Sequence, residues 1–136
     1  MDSIRIVIKQ EPVAKGRAKT AFIHGVVRTY TPKKTRDAQD FIRAKLLKYK
    51  DRMFGEHVPV RLVITFYRTK SRWLPKNETL PVRRPDTDNM LKTFCDAANT
   101  SILKDDCQLT TIIARKRWSQ KPYGYIQIKM SKDTLE

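Results

Sequence analysis

The sequence predicts an α+β fold, a mixed β-sheet with two main helices packed on it in the order β-β-α-β-α-β-β. Three observations predict it. Ile4, Ile6 and Ile8 alternate with other residues, as do Val60, Leu62, Ile64 and Phe66, and then Ile126, Ile128 and Met130. That is the period of a strand with one buried face. Ala38, Phe41, Ile42 and Leu46 recur at the spacing of a helix face. The strand and helix segments interleave along 136 residues, a length that suits one domain spanning 1–136 and one hydrophobic core.

Each element follows in turn. Ile4 to Ile8 opens the chain as a strand. Residues 11–20 form a basic loop containing Lys15, Gly16, Arg17 and Lys19. Residues 21–30 read as a second strand or hairpin arm that turns at His24-Gly25. Thr31-Pro32 supplies an N-cap and a proline at the first helical position, and the helix runs to about Tyr49. The strand of Val60 to Phe66 follows. Residues 69–84 carry Pro75, Pro81, Trp73 and several cations and read as a long loop, often a functional one. A helix from about Asn89 to Ser101, capped by Asp88, comes next. Residues 109–118 and 125–130 are strands joined by a turn around Pro122-Tyr123-Gly124, and the last six residues fray.

Composition narrows the function. Hydrophobic residues make up 40% and charged residues 32%, a globular balance. Lys plus Arg total 29 against 14 Asp plus Glu, giving +15 and a pI near 10.1. Such a surplus points to a polyanion, with nucleic acid foremost. No basic amphipathic helix favours a membrane surface, and no run of ~18 apolar residues spans one. The N-terminus has no apolar stretch of signal-peptide length, so a cytoplasmic location is expected. Cys95 and Cys107 lack metal-site spacing and read as reduced core fillers. His24 and His57 match no zinc spacing, and neither a phosphate-binding glycine loop nor a serine triad has a local context here.

In so basic a chain the acids are conspicuous. Asp86, Asp88, Asp96, Asp105 and Asp106 are five of the 14, all within 21 positions, flanked by Arg83-Arg84 and by Arg115-Lys116-Arg117. Asp86 and Asp88, two apart in extended chain, would point the same way toward one cation. Asp88 alone would read as a helix cap, which needs no second acid before it. On the helix, Asp88, Lys92, Asp96 and Asn99 fall in one polar arc, with Leu91, Phe94, Ala98 and Ile102 in an apolar one and Cys95 at the border. A solvated face with i,i+4 pairing explains that arc equally well. Asp105-Asp106 is either an Asp-rich turn or a third oxygen donor. Acids from two segments would make a hard-oxygen site suited to Mg²⁺, with Mn²⁺ as a substitute.

The stretch Arg84-Pro85-Asp86-Thr87-Asp88-Asn89-Met90-Leu91-Lys92, then Asp96-Ala97, then Lys104-Asp105-Asp106-Cys107-Gln108, resembles the RusA family of Holliday-junction resolvases. Lys15-Gly16-Arg17 and Tyr30-Thr31-Pro32 extend the likeness to most of the chain. The resemblance implies a homodimeric, Mg²⁺-dependent endonuclease that resolves four-way DNA junctions by paired symmetric nicks in recombination and repair. Its members are bacterial and often prophage-borne. It also implies Asp86, Asp88 and Asp106 as catalytic metal ligands and Lys92 as the essential lysine. Lys15, Arg17, Lys19 and Arg84 are the expected DNA contacts, and Trp73 or Tyr67 the candidate stacking partners for an unpaired base. Ala98 stands where the family usually has Leu, and Asn99-Thr100-Ser101-Ile102 replaces its usual Asn-Gly segment. Two other readings stay open: a basic nucleic-acid-binding module without catalysis, and a metal nuclease for another branched DNA or RNA.

Overall fold

A computed structural model describes residues 3–135 of the chain. The alternating stretches become β1 (Ser3–Ile8), β4 (Val60–Arg68) and β6 (Tyr125–Lys132), and β5 (Leu109–Trp118) joins them in one sheet. The strand order is β1-β6-β4-β5. β6 lies antiparallel to both β1 and β4, while β4 and β5 are parallel, so the sheet is mixed as expected. Helices α1 (Lys33–Leu47) and α2 (Thr87–Ala98) cover one face. Ile4, Ile6, Ile8, Leu62, Ile64, Phe66, Ile126, Ile128 and Met130 meet Ile42, Leu46, Met90 and Phe94 there. Ser131 and Lys132 remain in β6, two residues past the expected fraying point, and Glu136 lies outside the described residues.

Residues 19–30 form a hairpin of two strands, β2 (Lys19–Ile23) and β3 (Val26–Tyr30), in a sheet of their own. The observed order is therefore β-β-β-α-β-α-β-β. The turn falls at His24-Gly25 as expected, with φ of 51° and 76°.

Four helix details differ from the sequence reading. α1 starts at Lys33 with Pro32 at the N-cap position and no side-chain cap, so Thr31 stands outside the helix. Its buried face is Thr35, Ala38, Ile42 and Leu46, a stripe that leaves Phe41 39% exposed beneath the Lys45 ammonium. α2 starts at Thr87, with Asp86 at the N-cap, extended, and Asp88 already inside the first turn. α2 also stops at Ala98, short of Ser101. Arg43 of α1 explains where it stops. Its guanidinium donates to the Asp96 and Asn99 carbonyls at 2.8 and 2.5 Å and to Thr100 Oγ1 at 3.0 Å. Carbonyls at a helix end lack intrahelical partners, and a cation there also suits the helix dipole. Thr100 then adopts φ 61°, a left-handed turn that glycine would enter more easily.

A bulge between Val60 and Arg61 lets two consecutive β5 residues face one way. Thr110 and Thr111 both donate to Asp133 Oδ2 at 2.7 Å, closing the end of the sheet. These two hydroxyls hold the Asp133 carboxyl below its ordinary range. A depressed folded-state value stabilises above the unfolded one and is lost as pH falls through the folded value. Asp133→Asn should therefore lower the melting temperature at neutral pH, with the gap from wild type narrowing as the solution is acidified through the carboxylate range.

Gln108 is buried and fully used. Its Nε2 donates to the Gly55 and Val58 carbonyls at 2.7 and 3.0 Å, and its Oε1 accepts from Lys104 N and Asp105 N at 2.9 and 3.1 Å. Gln108→Leu would orphan these backbone groups. The expected loss is about 2–4 kcal/mol, read as a lower urea midpoint with unchanged m-value.

Candidate active site and basic cleft

Because β4 and β5 run parallel, α2 carries the chain back from the end of β4 to the start of β5. Its N-terminus bears Asp86 and Asp88, both exposed. The approach is pinned by Lys116 of β5, whose Nζ donates to the Arg83 and Pro85 carbonyls at 2.7 and 2.9 Å, and the Arg84–Pro85 peptide is cis. Since the chain is helical from Thr87, Asp86 and Asp88 are not two residues of one extended segment. The shared direction expected from strand geometry does not apply to them.

Asp106 lies past the other end of α2, in a 3₁₀ turn spanning Asp106–Gln108. Asp105 caps that turn, accepting from Cys107 N at 3.1 Å, which draws its carboxyl below the ordinary range. Partial burial, a hydrogen bond with Asp105 and the charges of Asp105 and Asp96 raise Asp106 above it. Burial, then Asp106 and Asp96, push the Cys95 thiol up to about 12. Asp106 thus keeps company with Cys95 and Asp96 in the second half of α2. Among the described residues no three Asp, Glu, His or Cys side chains gather closely enough to hold a metal ion. Within one chain, then, Asp86, Asp88 and Asp106 do not form a closed cage.

The polar arc of α2 is used differently from simple i,i+4 pairing. Asp96 accepts from Lys15 Nζ at 2.9 Å and Gln39 Nε2 at 3.0 Å, both from outside the helix. Lys92 is exposed and has no ion pair or hydrogen bond with a described residue. The basic loop is fixed to both helices. Lys15 N donates to the Asn89 carbonyl at 2.9 Å, and Gly16 N donates to Thr35 Oγ1 at 2.9 Å. A Cβ on Gly16 would stand 3.0 Å from Pro32 Cγ, so the close approach suits glycine.

These attachments open a cleft of about 900 Å³. Lys15, Arg17, Lys19 and Arg84, the expected DNA contacts, all line it beside Asp86 and Asn89. Lys34 and Arg68 line it too and were missed from the sequence. Lys34 lies in a helix start read only for its cap, and Arg68 ends a strand read only for its apolar face. Arg68 also braces the loop, with Glu11 and the Pro12 carbonyl each at 2.9 Å. Of the stacking candidates, Trp73 is 82% exposed under the Arg72 guanidinium, whereas Tyr67 stacks on Tyr125 at 4.2 Å. No helix among the described residues is long and apolar enough to cross a membrane.

The chain is 27% identical to YqaN of Bacillus subtilis (strain 168), a protein described as uncharacterized, over 139 residues covering 95% of this chain and 97% of the relative. A family described as Endodeoxyribonuclease RusA matches residues 9–129, which contain the whole cleft, both helices and all five clustered acids. The chain belongs to the RusA endodeoxyribonuclease family.

Proposed function

We propose that this protein is a Mg²⁺-dependent endonuclease that resolves four-way DNA junctions by paired symmetric nicks in recombination and repair, acting as a homodimer. The observation that carries the reading is the basic cleft that opens onto Asp86. Cations there collect the DNA backbone, while a carboxylate at the same place would repel phosphate in the absence of a counter-cation. A two-fold dimer suits a substrate that offers two equivalent strands.

Asp86, Asp88 and Asp106 are the proposed ligands. Mg²⁺ is commonly held by one or two carboxylates, with water and substrate oxygens completing its shell. Asp86 meets that chemistry at the cleft, and Asp88 and Asp106 would have to draw nearer to it to share the ion. When bound, Mg²⁺ supplies an acidified water and neutralises charge on the phosphate. The chain's own contributions are positional. The positive end of α2 favours anions beside Asp86. Lys15, tied to Asn89 and Asp96, holds the basic loop at the cleft rim. Lys92, one helical turn after Asp88 and without a partner among the described residues, is placed to stabilise charge developing on the phosphate.

That no three Asp, Glu, His or Cys side chains gather for a metal among the described residues favours a second reading, a basic binding module whose acids only cap and solvate. One assay separates the two. Wild-type protein should nick a four-way junction with Mg²⁺ and not without it. Asp86→Asn, Asp88→Asn, Asp106→Asn and Lys92→Ala should each reduce nicking at saturating junction by at least about 10²-fold, with junction binding retained. Full cleavage by Asp86→Asn would sink the site, binding without any cleavage would establish the module, and preferred cutting of flaps, linear duplex or RNA would move the substrate.

A further inference from the structure

The sheet face turned away from the helices is open and basic. Residues directly across a ladder share a face, so the register sets its rows. Arg5, Lys129, Val63 and Ile113 are successive partners across β1, β6, β4 and β5. Val7, Gln127, Thr65 and Arg115 form the next row, and Tyr125, Tyr67 and Arg117 the one after. Arg5, Arg115, Arg117, Gln127 and Lys129 are exposed. A hollow of about 270 Å³ lies among Arg5, Thr65, Arg115, Gln127 and Lys129. No described carboxylate pairs with Arg5, Arg115 or Lys129. At the Tyr67–Tyr125 end, Lys121 lies 5.1 Å from the Tyr125 ring and Lys9 lies 4.2 Å from the Tyr123 ring.

Arg5 and Lys129 stand directly opposite each other, an arrangement that destabilises a ladder. The fold requires only polar residues there, and an anion bound between the two would relieve the repulsion. β1 and β5 are separated by three strand spacings, about 14 Å, enough for Arg5 and Arg115 to reach phosphates on both sides of a groove ~12 Å wide. A second copy of the same face is a poor occupant, because two-fold packing would bring these cations against their own kind.

We infer that the open sheet face is a second nucleic-acid surface, which takes the phosphate backbone of a duplex arm other than the one in the cleft beside Asp86. The inference rests on the reading of the chain as a branched-DNA nuclease. A linear duplex needs the cleft alone, whereas a junction presents arms to both sides of the protein.

The test measures equilibrium binding with Asp86→Asn protein, so that cleavage does not intervene, against a four-way junction and a linear duplex across a salt series. Adding Arg5→Gln, Arg115→Gln and Lys129→Gln should weaken junction binding by at least about tenfold and reduce its salt slope by about 2–3, while linear duplex affinity changes less than about threefold. The free triple variant should melt no lower than its parent, since a like-charge pair has gone. In the protein with an unsubstituted face, junction should protect Lys129 from acetylation while Lys48 stays reactive. Unchanged junction affinity and unprotected Lys129 overturn the inference and leave the cleft reading standing. Failure of the unsubstituted face and cleft to bind any DNA overturns both. Loss of an oligomer in the triple variant without DNA means that a second copy covers the face, which also overturns it.

Discussion

The parallel pairing of β4 with β5 is the constraint on which the rest of the structure depends. Two parallel neighbours cannot be joined by a tight turn, so the chain must return along the sheet, and α2 is that return. The return puts the acids before α2 at one end of the strands and those after it at the other. Asp86 therefore opens onto the cleft, with Asp88 exposed in the first turn of α2, while Asp105 and Asp106 sit where β5 begins. A single chain thus holds two acidic stations along one helix, with Lys92 exposed between them.

The cleft depends on a second set of ties, made between segments far apart in sequence. The loop of Lys15-Gly16-Arg17 has no regular structure of its own and is shaped by its anchors. Asn89 on α2 and Thr35 on α1 hold its backbone, and Asp96 holds its lysine. Each anchor meets a backbone or charged group that would otherwise face solvent, so the loop's cations stand at fixed places beside Asp86. Part of the family motif is thereby structural. Asp96 positions Lys15, and Gln108 joins the segment bearing Asp105 and Asp106 to residues 55–58.

The net charge of +15 has two destinations on this fold. One share lines the cleft on the helix side, where carboxylates accompany it. The other covers the open sheet face, where no described carboxylate pairs with Arg5, Arg115 or Lys129. Net charge predicts a polyanionic partner but says nothing of how many faces meet it, because burial and strand register decide which side chains share a surface.

The sequence by itself determined what depends on neighbours a few residues apart. Alternating Ile and Val marked the inward faces of β1, β4 and β6, the spacing of Ala38, Ile42 and Leu46 marked the inward stripe of α1, and residue type marked the acids and the basic loop. It put the cap of α2 at Asp88 where the fold has Asp86, since both residues are good caps, and it placed Phe41 inside by spacing alone. Only the tertiary structure decided that Asp96 pairs with Lys15, that Arg43 ends α2, that 19–30 stands apart as its own ribbon, and that Asp86 and Asp106 lie past opposite ends of α2 without a shared metal cluster. These outcomes turn on contacts between segments tens of residues apart, and their partners are selected by packing and by the strand order β1-β6-β4-β5, which no local pattern encodes.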